Sequence, residues 1–110
     1  MLIYKIFRTP EMQSFQQDGR TAGAPVDLKD GYIHLSTSAQ VSETLSRHFA
    51  GEDDLWLLAL ESETLPSLKW EPSRGGDLFP HLYRELTADD VLWSRKITLG
   101  PQGHEIGELK

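Results

Sequence analysis

The run Leu55-Trp56-Leu57-Leu58-Ala59-Leu60 constrains this chain more than any other segment, because it is apolar throughout and does not alternate with polar residues. A strand with one wet face alternates, and an apolar helix that must hold itself together is longer. The run therefore reads as a central strand that needs cover on both faces. With 110 residues and no internal repeat, the chain can supply that cover from one domain with a single core.

The remaining segments are read as the cover. Leu2 to Phe7 is apolar except for Lys5 and predicts a second buried strand. Thr9 can cap a short helix with Pro10 at its first position and Glu11 in its first turn; Met12 and Phe15 give it an apolar face before Asp18-Gly19 stops it. From Arg20 to Gly31 the residues Gly23, Ala24, Pro25, Asp27 and Asp30 predict a covering loop that forms a pocket wall. Tyr32 to Leu35 reads as a strand. Thr37 with Gln40 gives a capping-box pattern for a helix through about Ala50, with Gly51 as its stop. In that helix Val41, Leu45 and Phe49 share the packed side, while Glu43 and Arg47 are spaced to pair on the solvated one.

Leu68 to Glu71 is a shorter strand, and the loop from Pro72 to Asp77 contains Gly75-Gly76, flexible enough to close over a ligand. Leu78 to Tyr83 returns as a strand or edge segment containing Pro80. Thr87 to Asp90 is a capped turn, after which Val91, Trp93 and Ile97 fall on one strand face and Ser94 and Lys96 on the other. The sum is an α+β domain over 1–99 with two small, mostly antiparallel sheets and two helices, followed by a loose tail at 100–110.

Charge and composition restrict the partners. The 11 basic and 17 acidic side chains give a net charge of −6, which repels nucleic acid and anionic membrane, so any anion must be held by a local pocket. DNA and membranes are excluded as expected partners. No cysteine is present, which suits a reducing cytoplasm and removes thiolate metal ligands. Met1 to Lys5 reads straight into a strand, without a basic flank or cleavage site, and no apolar run has membrane-spanning length. A cytoplasmic monomer or weak dimer is expected.

Chemistry concentrates in two places. In Asp30-Gly31-Tyr32-Ile33-His34-Leu35-Ser36-Thr37 an apolar strand ends in a histidine and hydroxyls where a helix begins, and Tyr32, His34 and Ser36 are spaced to share a face. The second place holds Trp70, Glu71, Arg74, His81 and Tyr83 around the paired glycines. His81 and Tyr83 share a strand face, and Arg74 offers a planar, bidentate donor for phosphate or carboxylate. His34 and His81 could ligate a metal, but no obvious third ligand accompanies them, so no metal site is expected. His48 suits the end of its helix, where the dipole favours a cation, and His104 falls in the tail. Walker loops, dinucleotide glycine fingerprints, paired-histidine metal helices and nucleophile elbows have no counterpart here.

Over nearly its whole length the chain resembles the family called domain of unknown function 952. The likeness lies in residues 30–37, in Arg47-His48-Phe49-Ala50, in Trp70-Glu71-Pro72-Ser73-Arg74-Gly75-Gly76 and in Leu78-Phe79-Pro80-His81-Leu82-Tyr83. More distantly it is similar to the ADP-ribosyltransferase fold, in particular the RNA 2′-phosphotransferases, which remove a splice-junction phosphate from tRNA using NAD. There, a strand ending His-Leu-Ser opens a helix that closes with Arg-His, the order of Ile33-His34-Leu35-Ser36 and Arg47-His48. That resemblance implies an ADP-ribosyltransferase-like core, NAD as cofactor and RNA as a partner. The chain departs from it at Tyr4-Lys5-Ile6-Phe7, where the relatives carry an NAD-contacting histidine, and at Asp30-Gly31, where they carry an arginine.

The residues and the resemblance together lead to a polar cleft that binds a small anionic, phosphorylated or nucleotide ligand, in a divergent or degenerate transferase. His34, His81 and Glu71 are its candidate catalytic groups; Ser36, Arg74, Tyr83, Tyr32 and Trp70 are its candidate ligand-binding groups. Arg74 would hold the anion, His34 or His81 would orient it or move a proton, and Glu71 would steady a developing cation at a ribose carbon. The rival expectation is a non-catalytic interaction module whose Trp70, Phe79 and Tyr83 form an exposed aromatic patch.

Overall fold

The structure is a computed structural model that describes residues 1–109 and, for Arg74, the backbone only. Leu55–Glu61 is the strand around which the rest is built. The elements in chain order are β1 (Leu2–Arg8), α1 (Thr9–Asp18), β2 (Arg20–Thr21), α2 (Pro25–Asp30), β3 (Ile33–His34), β4 (Ser36–Thr37), α3 (Val41–His48), β5 (Leu55–Glu61), β6 (Leu68–Pro72), β7 (Leu78–Leu82), β8 (Leu86–Thr87), β9 (Val91–Gly100) and β10 (Gly103–Glu105). A five-stranded sheet runs β10-β9-β5-β1-β4, a three-stranded sheet runs β3-β7-β6, and β2 pairs with β8. All of these pairings are antiparallel, as expected for the α+β class.

β5 lies between β1 and β9, and Leu55, Leu57, Leu58, Ala59 and Leu60 are wholly buried. Its alternate residues enter different clusters. Leu58 and Leu60 pack with Ile3, Phe7, Phe15, Ile33 and Leu82 on one face. Leu55, Leu57 and Ala59 pack with Tyr4, Ile6, Val41, Leu45 and Ile97 on the other. The single core expected from length is therefore two apolar clusters separated by a shared sheet. At about 25 cal/mol per Å², burying each of these leucines contributes roughly 1.5–3 kcal/mol.

Several expectations need correction. Among the described residues there are three α-helices and not two, because the covering segment is not all loop: Pro25 opens α2 and Gly31 ends it in the left-handed conformation at φ 86°. The helix at Thr9 is capped from Arg8, whose backbone N–H donates to Glu11 Oε1 at 2.8 Å, while the Thr9 hydroxyl donates to the Asp54 carbonyl at 2.6 Å. α3 starts only at Val41, after a turn in which the Thr37 N–H donates to Gln40 Oε1 at 3.0 Å. The tail is not loose: β10 forms a hairpin with β9, and Ile106 and Leu109 pack against the second cluster.

The decisive local feature lies at Leu35. Sequence pattern predicts one continuous strand from Tyr32 to Leu35; instead the chain changes sheets there. Ile33 and His34 pair with Leu82 and His81 of β7, whereas Ser36 and Thr37 pair with Tyr4 and Ile3 of β1. The Leu35 N–H itself donates to the Pro80 carbonyl at 3.0 Å. β7 is thus central in its sheet, and Pro80, which has no N–H to give, meets the neighbouring chain through its carbonyl just where that chain leaves the sheet. Among the described residues no helix is long and apolar enough to cross a membrane.

Candidate functional site

The change of sheets at Leu35 opens a cleft of about 430 Å³ between the two sheets and α3. Side chains alternate across a strand, so the three-stranded sheet buries Ile33 and Leu82 in the first core and turns His34 and His81 the other way. Both histidines line the cleft, and so does Ser36, from the five-stranded sheet. Three of the expected site residues thereby meet.

His34 is anchored from beneath. Its Nδ1 lies 2.6 Å from Asp27 Oδ1, and its backbone N–H donates to the same oxygen at 3.0 Å. The other oxygen of Asp27 accepts from Lys5 Nζ at 2.7 Å and from the Ala24 N–H at 2.7 Å. Lys5 Nζ also donates to the His34 carbonyl at 3.1 Å. Asp27 is 1% exposed and Lys5 5%, so this ion pair is buried in full. Burial raises the Asp27 carboxyl, but the hydrogen bonds from His34 and Lys5 and the Lys5 charge outweigh it and hold the group below its ordinary value. The Lys5 ammonium is pulled down by burial, against the opposing charge of Asp27. On its outer side His34 meets Asp30, with Nε2 3.0 Å from Oδ2.

His81, 4% exposed, is held by a second carboxylate: its Nδ1 lies 2.9 Å from Glu71 Oε1, which also accepts from the Tyr83 hydroxyl at 2.7 Å. Those two hydrogen bonds keep the Glu71 carboxyl below its ordinary value, and the same carboxylate pushes the Tyr83 phenol up to about 12. Tyr32 stacks on His81 with ring centroids 4.2 Å apart, and the His34 and His81 rings meet edge to face at 5.4 Å. Each imidazole thus has its Nδ1 committed to a carboxylate and its plane fixed by neighbours, so a ligand would meet His81 at Nε2 and would meet His34 Nε2 in place of Asp30.

The other expected residues fall differently. Tyr32 and Tyr83 line a separate hollow of about 260 Å³; Tyr32 packs on the rings of His34 and His81, and Tyr83 reaches His81 through their shared carboxylate, Glu71, which does not itself line the cleft. Trp70 alternates with Lys69 and Glu71 on β6, so it faces away from the histidine side of the sheet. The side chain of Arg74 lies outside the described residues. The aromatic patch is split: Trp70 and Tyr83 are exposed, but Phe79 is buried and lines the cleft. Among the described residues no three His, Cys, Asp or Glu side chains are placed to hold a metal ion.

Sequence reasoning misses Asp27, which its composition assigns to a loop, although Pro25 before it and Gly31 after it are helix start and stop signals. Lys5 reads in sequence as an interruption of an apolar strand and as a departure from the 2′-phosphotransferase pattern, not as the partner of Asp27. His48, expected only to close a helix, also lines the cleft, as do Thr44 and Arg8. The Thr44 hydroxyl is 3.0 Å from that of Ser36. Arg8 holds Glu52 through two hydrogen bonds of 2.8 and 3.0 Å and lies over the Phe49 ring.

Three solved structures of protein CC0527 from Caulobacter crescentus are similar to this fold. Its X-ray structure is 45% identical, covers 97% of this chain and 96% of its own, and superposes with a TM-score of 0.92. The X-ray structure of a double mutant of the same protein gives 43% identity with the same TM-score and coverage. The solution NMR structure, 46% identical over 94% of this chain and 90% of that one, gives 0.84. Among curated proteins none matches the chain. The family model for the protein of unknown function DUF952 matches residues 6–94, most of the length that carries the two sheets and the cleft, and the chain belongs to that family.

Proposed function

We propose that the cleft binds a small phosphorylated or nucleotide ligand, in a cytoplasmic protein built on a divergent ADP-ribosyltransferase-like core. One observation carries this reading: two histidines, each oriented by its own carboxylate, converge on a cleft of about 430 Å³ that also contains the Ser36, Thr44 and Ser73 hydroxyls. Imidazole and hydroxyl donors suit phosphate oxygens, while Phe49 and Phe79 offer apolar rings to the remainder of the ligand. The buried Lys5–Asp27 pair supports it further. An ion pair removed from water is a poor way to stabilise a fold, and this one ends on the ring of a cleft histidine.

NAD is the less favoured ligand in this reading. At the strand position where the 2′-phosphotransferases contact the dinucleotide, this chain has Lys5, buried and engaged with Asp27 and the His34 carbonyl. It cannot reach a cofactor. A mononucleotide suits the site better, and the RNA partner implied by the transferase resemblance is disfavoured by the net charge of −6.

Thermal-shift measurements on wild type and His34→Ala against nucleoside monophosphates, ADP-ribose, NAD and a 2′-phosphorylated RNA test the reading. A ligand at about 100 times its Kd adds roughly 2.7 kcal/mol, a rise of roughly 10 °C in a domain of this size. Mononucleotides should produce that rise in wild type and lose it in His34→Ala. No response to any compound, or an equal response in the variant, would overturn it.

A further inference from the structure

We infer that His34 and His81 form a general acid–base pair for hydrolysis of a small phosphodiester of the nucleoside 2′,3′-cyclic phosphate class. The inference rests on the cleft being a phosphate or nucleotide site and adds the reaction. The two residues face each other across paired strands, in register, with ring centroids 5.4 Å apart. One phosphate group can touch both.

Their surroundings separate their roles. His34 has a carboxylate facing each nitrogen, Asp27 Oδ1 2.6 Å from Nδ1 and Asp30 Oδ2 3.0 Å from Nε2, so both of its nitrogens face acceptors. It is therefore the proton donor. His81 has one carboxylate, Glu71, on Nδ1, which orients the ring and leaves Nε2 to accept a proton. Asp27 and Glu71 are positioning residues, not catalytic ones. Asp30 is exposed and occupies the place at His34 Nε2 that the leaving oxygen would take, so substrate entry displaces it.

In the step, His81 Nε2 takes a proton from water as the water oxygen bonds to phosphorus. The bond from phosphorus to one ribose oxygen breaks, and its electron pair stays on that oxygen. His34 Nε2 delivers a proton there, giving a phosphomonoester and a ribose hydroxyl. Water is the one co-reactant consumed. The Ser36 and Thr44 hydroxyls are placed for the non-bridging oxygens. A cyclic mononucleotide carries one charge, which a chain of net charge −6 repels far less than it repels RNA.

The test is phosphorus NMR of the full chain with the four nucleoside 2′,3′-cyclic phosphates, beside thermal shifts with the matching monophosphates. Wild type should convert at least one cyclic phosphate to a monoester. His81→Gln should lower kcat by about 100-fold or more while still giving a monophosphate shift. Glu71→Gln should lower kcat with little change in KM and alter the nitrogen NMR signature of the His81 tautomer, which a purely structural role would leave alone. Binding of monophosphates without any turnover overturns the acid–base pair and leaves the ligand site standing. Absence of both overturns the two together, and undiminished kcat in His81→Gln overturns the assignment of the base.

Discussion

Removing Asp27 should damage this protein more than removing its partner Lys5, and removing both should cost less than removing Asp27 alone. In Asp27→Ala the Lys5 ammonium remains 5% exposed with the His34 carbonyl as its remaining acceptor among the described residues, a situation that costs about 3–5 kcal/mol. The Ala24 and His34 N–H groups lose their acceptor as well, at roughly 1–3 kcal/mol each before relaxation. A loss of about 5 kcal/mol approaches the whole stability of a domain whose total is about 5–15 kcal/mol. In Lys5→Met the Asp27 carboxylate keeps three donors, Ala24 N, His34 N and His34 Nδ1, so the loss should be about 1–3 kcal/mol. The double variant carries neither unpaired charge, and a coupling of about 2 kcal/mol should appear in the cycle. Urea unfolding with m held constant measures it. The pH dependence has a definite sign. Because the folded pKa of Asp27 is depressed, its contribution is present above the unfolded value near 3.9 and is lost as pH falls through the folded value, so Asp27→Ala should flatten that part of the acid limb. Additive single-variant losses would refute the reasoning.

Three further outcomes follow from single contacts. The Tyr83 phenol, raised to about 12 chiefly by its hydrogen bond to Glu71, supports folding below its unfolded value near 10 and loses that support as pH rises through 12; in Glu71→Gln the phenolate absorbance midpoint should fall toward 10, and an unmoved midpoint would exclude Glu71 as the cause. Asp30→Asn removes the carboxylate 3.0 Å from His34 Nε2, so calorimetry should find a nucleoside monophosphate bound about threefold to tenfold tighter; weaker binding would count against displacement of Asp30. Gly23→Ala places a methyl group 2.5 Å from Asp27 Cβ at φ +111°, whereas Gly31→Ala, at φ +86°, meets nothing within 4 Å. Both carry backbone strain of about 1 kcal/mol or more, and only the first also collides with Asp27, so equal losses in thermal unfolding would contradict the tight packing there.

The sequence discloses those parts of the fold whose cause is local. β1 and β5 follow from apolar runs too short for helices, and α1 follows from Pro10, Glu11 and Gly19. α2 carries the same kind of punctuation in Pro25 and Gly31, but its six residues are too few for an apolar period, so its loop-forming composition masks it. The break at Leu35 has no local sign. It arises because His34 finds His81 in one sheet while Ser36 finds Tyr4 in another, and strand pairing over such distances is not written in any window. Of the site, His34, Ser36 and His81 are legible from residue type and position. Their carboxylate supports are only half so: Glu71 lies on the neighbouring strand, whereas Asp27 reaches Lys5 across a separation of 22 residues. Trp70 departs from its expected place for a simpler reason. It alternates with Glu71, so both cannot face the same cleft.

That long-range carboxylate explains why the site stays assembled. Asp27 belongs to α2, Lys5 to β1 of the five-stranded sheet, and His34 to β3 of the three-stranded sheet, so one side chain ties the three pieces that meet at the cleft. Apolar residues of similar volume would often stabilise such a position as well or better, since the buried charges lose their water. They would not hold the His34 ring, whose Nδ1 has Asp27 as its hydrogen-bonding partner. A pair kept for the fold and a pair kept for the site therefore separate in the double variant Lys5→Met/Asp27→Ala. If the pair serves the site, stability recovers relative to Asp27→Ala while the nucleotide-induced thermal shift stays lost, because the histidine is free to turn. If the shift returns with stability, the buried pair is scaffolding and His34 is oriented by Asp30 and Tyr32 alone.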